Sequence, residues 1–336
     1  MNPFTYQRPS APEAALHAIE LSNSKFLGGG TNLIDLMKDR VETPTALIDI
    51  NHIGLDQITS TAGSTTIGAS VRNSDLANHP AIVANYPLLS HALLSGASPQ
   101  LRNMATTAGN LLQRTRCPYF MDTAFPACNK RQPGSGCAAI QGFNRTHAIL
   151  GATNEGSANP YTCIATNPSD MNVALYALNA TVELHSSKGK RTILARDFHR
   201  LPGQTPHVDT ILAPDELIVA VTLPAAKFAK NSWYLKVRDR QSYAFALVSV
   251  AAGLELDGQA IKSAGLALGG VAPKPWRSLE AEHALTGQPA TSETFARAAS
   301  ILLNGAKPFP QNVFKVELAK QSVIRALTLA AKGAQA

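Results

Sequence analysis

The spacing of apolar residues predicts alternating helices and strands from the start of the chain. Ser10 is followed three residues later by a glutamate, as in a capping box, ahead of a helix-periodic apolar run over 12–21. A short strand at 25–27 then leads through three glycines into a helix over 31–38, and a strand at 45–50 follows. This order of elements is typical of a small α/β unit.

Two further stretches show the same mixture of helical and strand spacing, separated by an irregular segment. Before that segment the pattern predicts a strand, two helices and a loop at 65–69, 73–77, 87–94 and 105–111. After it the pattern predicts a helix, three strands and three helices at 171–178, 181–185, 244–256, 263–271, 280–285, 292–303 and 313–331. The last helix carries an apolar stripe at helical spacing, which indicates a face packed into a core.

These patterns predict a mixed α/β (α+β) chain made of three units. A chain of 336 residues exceeds what one hydrophobic core usually organises. We place the units at 1–55, 56–225 and 226–336, because the composition near 224–230 is that of a boundary. The irregular segment, at about 112–166, lies within the second unit.

Composition and charge exclude several classes of protein. Hydrophobic residues make up 45% and charged residues 16% of the chain, as in a folded protein rather than a disordered one. The net charge of +7 is scattered and lacks the concentrated basic patch of a nucleic-acid-binding protein. No run of about 20 apolar residues predicts a membrane span, and the opening residues lack the pattern of a signal peptide. We therefore expect no nucleic-acid partner, no membrane span and no export signal of the chain's own.

Three consecutive glycines after the predicted strand at 25–27 form a candidate phosphate-binding loop. The loop comprises Leu27, Gly28, Gly29, Gly30, Thr31, Asn32 and Leu33. Without Cβ atoms the backbone can approach a ligand closely, and the N–H groups of a helix start favour phosphate oxygens. A tight turn that binds nothing is the simpler alternative. The dinucleotide fingerprint G-x-G-x-x-G is a rival that Gly28 and Gly30 fit but Leu33 does not, although Asp49 lies near the ribose-binding offset.

A second loop of small residues follows at 106–110, with the sequence T-T-A-G-N. Two such loops from different units could hold a pyrophosphate from both sides. Taken alone, this loop could equally be an ordinary turn.

All four cysteines fall within the irregular segment, at Cys117, Cys128, Cys137 and Cys163. None of their spacings is the C-x2-C typical of zinc sites. Four thiolates are the ligands that a [4Fe–4S] or [2Fe–2S] cluster needs, and metal binding would explain how so long an irregular segment is ordered. A zinc site, two disulfides and unlinked thiols remain alternatives.

The chain shows no convincing acid–base pair for substrate chemistry. Its nine histidines are scattered without the i, i+4 zinc spacing, and no serine or cysteine stands in a nucleophile elbow. We therefore predict no catalytic residue in this chain. This pattern favours a redox carrier, in which the cofactors perform the chemistry and the protein orients them.

The two loops and their order resemble the FAD-binding subunit of the xanthine dehydrogenase and molybdenum hydroxylase family. Members have an A-G-G-T/S-N/S-L loop, similar to L-G-G-G-T-N-L here, and a T-x-G-G-N loop from which Ala108 departs. The motifs P-S-D, E-L-I, Y-L-K and G-G-V-A-P extend the resemblance over roughly residues 3–330. It implies a two-subdomain FAD-binding domain of the PCMH or vanillyl-alcohol-oxidase-like type, followed by a C-terminal domain of the CO dehydrogenase flavoprotein type.

The resemblance also implies roles for individual residues. Those that would contact FAD are the seven residues of the first loop together with Thr106, Gly109, Asn110, Asp170, Ile218 and Lys236. The two loops would hold the pyrophosphate and the adenosine side. Asp170 would accept hydrogen bonds from ribityl or ribose hydroxyls, Lys236 would lie near the isoalloxazine, and Ile218 would contribute a backbone contact. An N-cap role for Ser169 or Asp170 and a surface position for Lys236 are the simpler alternatives.

The cysteine segment is an insertion that most family members lack. It is similar to a branch of bacterial periplasmic aldehyde oxidoreductases whose flavin subunit carries an extra [4Fe–4S] cluster, through R-C-P-Y-F, C-N-K-R, G-S-G-C-A-A and C-I-A-T. This similarity implies an electron-transfer subunit of a three-subunit enzyme that oxidises aldehydes to carboxylic acids. Its partners would be a large molybdopterin-binding subunit and a small [2Fe–2S] subunit, with electrons running from molybdenum through iron–sulfur centres to FAD and an external acceptor.

The same branch implies a periplasmic location, reached in a complex with a partner that carries the export signal, and a cytoplasmic location is the alternative. A stand-alone NAD(P)-binding oxidoreductase and a zinc-stabilised binding module are the alternative functions.

Overall fold

The computed structural model describes residues 1–20, 23–152 and 160–333, and the first unit is a small α/β layer. Its elements are β1 (Thr5–Gln7), α1 (Pro12–Ala18), β2 (Ser24–Leu27), α2 (Leu33–Lys38) and β3 (Ala46–Asp49). Both β1 and β2 pair in parallel with β3, and Leu27 stands opposite Asp49 in the register. The glycine loop therefore leaves the sheet at the same edge as the end of β3.

The second unit is a five-stranded antiparallel sheet covered by helices. Its elements are β4 (Ile58–Ser60), β5 (Ser64–Gly68), α3 (Asn73–Asn78), α4 (Pro80–Asn85), α5 (Pro87–Ser95), α6 (Pro99–Met104), α7 (Thr107–Leu111), α8 (Pro118–Met121), α9 (Asp170–Ala177), β6 (Thr181–Ser186), β7 (Gly189–Leu194), α10 (Ala195–Phe198) and β8 (Leu217–Pro224). The strand order is β4-β5-β8-β6-β7. Strand β8 is buried on both faces, with Ile218 in the core of this unit and Val219 in the core shared with the first unit.

The third unit is a three-stranded antiparallel sheet with helices on one face. Its elements are β9 (Ser232–Val237), β10 (Val248–Asp257), β11 (Ala260–Gly269), α11 (Leu279–His283), α12 (Ser292–Leu302) and α13 (Phe314–Ala331). The order is β11-β10-β9, and α13 covers β10 with a buried stripe that includes Ala319, Val323 and Ala330. The sheet's other face packs on α9, which is buried on every side between the two units.

The cysteine segment is held between the second and third units by backbone contacts. The amides of Ile149 and Leu150 both donate to the carbonyl of Val271, at 2.8 and 3.0 Å. Within the segment, Cys128 and Cys137 face each other across an isolated antiparallel bridge. Residues 153–159 of this segment lie outside the described residues.

The mixed α+β fold predicted from the sequence is confirmed, and two local predictions are wrong. Helix α1 starts at Pro12 with Ala11 as its N-cap and no side-chain capping bond, so the capping box at Ser10 is not formed. The stretch 105–111 is not a loop throughout, because the Thr106 hydroxyl accepts a hydrogen bond from the Gly109 amide and starts helix α7. No described helix is long and apolar enough to cross a membrane, as the sequence analysis expected.

Candidate cofactor site

The two small-residue loops touch each other, and glycine is what lets them touch. A Cβ atom on Gly29 would lie 1.9 Å from the carbonyl oxygen of Met104, and one on Gly28 would lie 2.6 Å from the Thr106 hydroxyl. Gly30 has a φ of +73°, in the left-handed region that glycine adopts readily. The glycines therefore serve loop contact and turn geometry, and their close approach to a phosphate stays a prediction.

A hydrogen-bond network behind the loops fixes their relative position. The side-chain nitrogen Nδ2 of Asn51 donates to the Gly28 carbonyl at 3.0 Å and to the Asp49 carboxylate at 2.6 Å. Arg72 donates to the Asn51 side-chain oxygen at 3.0 Å and also to the Met104 carbonyl. Neither Asn51 nor Arg72 stands in a motif, so the sequence alone did not single them out. Only their positions, just after β3 and just before α3, could have suggested them.

A cavity of about 380 Å³ opens beside the loops, at the junction of the three units. Six of the residues predicted to contact FAD line it: Thr31, Asn32, Gly109, Asn110, Asp170 and Lys236. The others lie behind its wall or away from it. Thr106 is buried as the cap of α7, and Ile218 lies in the core of the five-stranded sheet.

Asp170 and Lys236 form a buried ion pair on the cavity wall. Their charged atoms are 2.7 Å apart, and the two side chains are only 9% and 4% exposed. The Tyr234 hydroxyl also donates to Asp170 at 2.7 Å, and Lys236 donates to the Ser95 carbonyl at 3.0 Å. Burial and the neighbouring carboxylate raise the pKa of Tyr234 well above its usual value, so it stays a donor.

The position of Asp170 leaves it able to bind a ligand. The capping role at this helix belongs to Ser169, whose hydroxyl accepts from the Asn172 amide at 3.1 Å. A carboxylate offers about four lone-pair sites, so Asp170 keeps acceptor capacity beside its two protein partners.

The polar groups of the cavity suit a ligand that carries phosphates. The amide nitrogen of Asn32 and the Nε of Arg116 are buried without a hydrogen-bond partner among the described residues. Both residues line the cavity, as do Arg102 and Arg240. Buried donors without partners are costly, and phosphate or hydroxyl oxygens would satisfy them. The donor set therefore fits FAD.

A second cavity of about 270 Å³ adjoins this one and reaches Cys117. Arg116, Asp170 and Phe245 line both cavities. Residues of the candidate flavin cavity therefore also line a cavity that the nearest cysteine borders.

The four cysteines are free thiols that lie close enough to act on one another electrostatically. Burial, followed by the neighbouring Cys163 and Cys137, raises the pKa of Cys117 to about 12. Burial, followed by Cys163 and Cys128, raises the pKa of Cys137 to about 11. Positions far apart in the sequence are thus brought together as one group of free thiols, of which Cys128 and Cys163 are buried and Cys117 and Cys137 partly buried.

Two buried basic groups stand beside these thiols. Lys130 is 7% exposed and forms an ion pair with Asp209, which also lies 2.6 Å from Nε of Arg114. The Nε2 atom of His147 lies 3.1 Å from Sγ of Cys117. Burial and the nearby ammonium of Lys315 lower the pKa of His147 to about 4, so its ring is neutral at pH 7.

No group of three or more His, Cys, Asp or Glu side chains is arranged to hold a single metal ion within the described parts of the chain. A zinc site needs four ligand atoms at about 2.0–2.3 Å from one point. A four-iron cluster is larger than one ion and holds its thiolates further apart. Four partly or fully buried thiols in one neighbourhood are chemically suited to the second arrangement.

Family models match nearly the whole chain. Residues 2–226 match the FAD binding domain in molybdopterin dehydrogenase, and residues 233–330 match the CO dehydrogenase flavoprotein C-terminal domain. The chain therefore belongs to the FAD-binding subunits of the molybdenum hydroxylase family, and it is an oxidoreductase subunit, as its motifs predicted.

Individual relatives are similar to this chain over nearly its whole length. The chain is 54% identical over 331 residues to the aldehyde oxidoreductase FAD-binding subunit PaoB of Escherichia coli (strain K12). The alignment covers 97% of this chain and 98% of the relative. It is 28% identical over 330 residues to the glyceraldehyde dehydrogenase medium chain of Sulfolobus acidocaldarius, covering 98% and 96%. A carbon monoxide dehydrogenase structure from Hydrogenophaga pseudoflava superimposes with a TM-score of 0.76 at 26% identity, over 99% of each chain.

Proposed function

We propose that this chain is the FAD- and [4Fe–4S]-carrying electron-transfer subunit of a heterotrimeric molybdenum aldehyde oxidoreductase. Its partners would be a large molybdopterin-binding subunit and a small [2Fe–2S] subunit. The observation that carries the proposal is the group of four partly or fully buried cysteines beside a cavity that shares wall residues with the candidate FAD cavity. The 54% identity to an aldehyde oxidoreductase subunit supports the substrate class.

The residues that would hold FAD come from all three units. Thr31 and Asn32 of the first unit and Asn110 of the second would meet the phosphates with hydroxyl and amide groups. Asp170 and Lys236 would meet the sugar-alcohol and ring portions, with their charges fixed by their mutual ion pair. Bound flavin supplies the exchange between one-electron and two-electron steps that links iron–sulfur centres to an external acceptor.

The four cysteines would hold the cluster, and nearby cations would offset its charge. Burial raises the pKa of Cys163, and the nearby Lys130 opposes that rise; the Lys130–Asp209 pair also connects the cysteine segment to the second unit. Cys128 and Cys163 are buried, and the lower dielectric around buried groups strengthens the charge interactions of a cluster held there. Aldehyde oxidation itself would take place on the large partner subunit.

Cofactor analysis of the anaerobically purified full-length chain tests this proposal. We expect one FAD and about four irons with matching sulfide per chain. Flavin without iron would remove the cluster from the proposal, and zinc in place of iron would replace it with a zinc-stabilised flavoprotein.

The variant Cys128→Ser should lose iron and keep most of its FAD, because Cys128 does not line the flavin cavity. Thr123→Ala, an exposed change in the same segment, serves as the control and should keep both cofactors. Full iron in Cys128→Ser would contradict the ligand assignment.

Co-purification with a tagged copy of this chain tests the proposed heterotrimer. We expect two further subunits to co-purify, one that contains molybdenum and one that contains [2Fe–2S] clusters.

Export to the periplasm in a complex with a signal-bearing partner also stays a prediction. Cell fractionation followed by detection of this chain would check it.

A further inference from the structure

His147 is a buried polar side chain in contact with a predicted cluster ligand, with Nε2 at 3.1 Å from Sγ of Cys117. It is only 2% exposed. We propose that His147 donates a hydrogen bond from Nε2 to the Cys117 sulfur when that sulfur holds the cluster, and that this bond raises the cluster's reduction potential. The inference rests on the proposed cluster and concerns a residue outside the set of four thiols.

The position of His147 is imposed by the third unit. Its carbonyl oxygen accepts hydrogen bonds from Nδ2 of Asn312 at 3.1 Å and from Nζ of Lys315 at 2.9 Å. Asn312 and Lys315 are fully buried at the start of α13, and Lys315 also donates to the Gly270 carbonyl. Because two buried donors at the start of α13 bind the backbone carbonyl of His147, they fix the position of its ring beside Cys117.

The hydrogen-bond partners of the ring determine which nitrogen carries the proton. Nδ1 of His147 is buried and has no partner among the described residues. A neutral imidazole has one N–H donor and one acceptor nitrogen. A thiolate accepts hydrogen bonds and cannot donate one, so the nitrogen that faces Cys117 must be the donor. Nδ1 is then the acceptor nitrogen of the ring.

This hydrogen bond favours the reduced form of the cluster. Reduction adds one electron to the cluster and increases the negative charge on its sulfur ligands. A donor at a ligand sulfur stabilises that extra charge, and hydrogen bonds to sulfur are among the factors that set cluster potentials. In a buried site the interaction is stronger than it would be in water. His147 is therefore a positioning and tuning residue, and no proton has to leave it during electron transfer.

Two substitutions at His147 separate this role from simple packing. His147→Leu removes the donor and keeps much of the volume, whereas the side-chain amide of His147→Gln can place an N–H donor near the position of Nε2. His283→Leu, an exposed change on α11, is the control. Iron content and the cluster midpoint potential, from an EPR-monitored titration of the full-length chain, are measured for all four proteins.

We expect full iron in each protein, a lower midpoint potential in His147→Leu, a return towards the wild-type value in His147→Gln, and no shift in His283→Leu. An unchanged potential in His147→Leu with full iron overturns the inference while the cluster proposal stands. A wild-type chain without iron overturns the cluster proposal and this inference together, and the iron analysis distinguishes the two failures.

If His147→Leu loses its cluster, the hydrogen bond is tested on the wild-type protein instead, by measuring nitrogen coupling to the cluster. With ¹⁵N-labelled histidine, the reduced cluster should show one weak nitrogen coupling, as expected for a hydrogen-bonded imidazole. Absence of this coupling overturns the inference. A strong coupling, as from a nitrogen bound to iron, would also overturn it and make His147 a ligand instead.

Discussion

Substitution Gly29→Ala tests whether the contact between the two loops is what shapes the FAD site. A Cβ atom at this position would lie 1.9 Å from the Met104 carbonyl oxygen, where ordinary contacts begin at 3.4 Å. The atom in the way belongs to the backbone, so no side chain can rotate to make room. The two loops would have to separate by roughly 1.5 Å, the difference between these two distances.

The cost of that separation sets the size of the expected effect. Forcing an extra methyl group into a well-packed contact typically costs about 1–3 kcal/mol. The hydrogen bond from Arg72 to the Met104 carbonyl opposes the movement. If bound FAD requires the loops in their native position, this cost appears as weaker binding. At 1.4 kcal/mol per factor of ten, the dissociation constant for FAD should rise by about 5- to 150-fold.

Titration of FAD-depleted protein with FAD, followed by flavin fluorescence, measures the dissociation constant. Thermal unfolding of the FAD-free protein shows how much of the cost falls on folding instead. Gly63→Ala is the matched control, because no atom lies within 4 Å of its Cβ position. A Gly29→Ala protein with wild-type affinity and wild-type stability would refute the argument that these loops must touch to bind FAD.

Two buried ion pairs lead to further predictions. Asp209→Asn should destabilise the chain towards the lower end of about 3–5 kcal/mol in urea unfolding, since Lys130 stays buried while Asp209 is 30% exposed. Asp239→Asn, at an exposed pair, should cost less than about 1 kcal/mol. Burial acts to raise the pKa of Asp209, but the neighbouring cations outweigh it and hold that pKa below its usual value. Its contribution to stability is therefore present above pH 4 and lost as the pH falls below about 4, and stability curves of Asp209→Asn should lack this acid loss. Asp170→Asn leaves Lys236 buried without its carboxylate, so both stability and FAD affinity should fall, and an unchanged affinity would remove Asp170 from the site.

The sequence predicted the site's parts better than their arrangement. The glycine loop was recognisable because three consecutive glycines between a strand and a helix are rare without a reason. The helix at Asp170 was recognisable from its capping residues, and the structure confirms that Ser169 caps it. The ion pair between Asp170 and Lys236 was not foreseeable, because it depends on how the third unit packs against α9.

Other features escaped the sequence analysis because their signals are ambiguous. Helix α7 is only five residues long and contains a glycine, so its composition is that of a loop, and only the Thr106 cap makes it helical. The capping box at Ser10 failed for the opposite reason. The Ser10–Glu13 spacing is that of a capping box, but the helix begins at Pro12, with Ala11 rather than Ser10 as its N-cap.

The location of the FAD cavity explains why the order of the motifs was more informative than any one motif. Each unit contributes one part of the wall: Asn32 from the first, Asn110 from the second and Lys236 from the third. No unit lines the whole cavity, so binding of FAD at the proposed site would require all three units in their native arrangement. A ligand that binds only the native state stabilises it by mass action, and here that stabilisation would extend to the contacts between units. The cysteine segment lies between the second and third units as well, so a cluster bound there would secure the same junction that the flavin site needs.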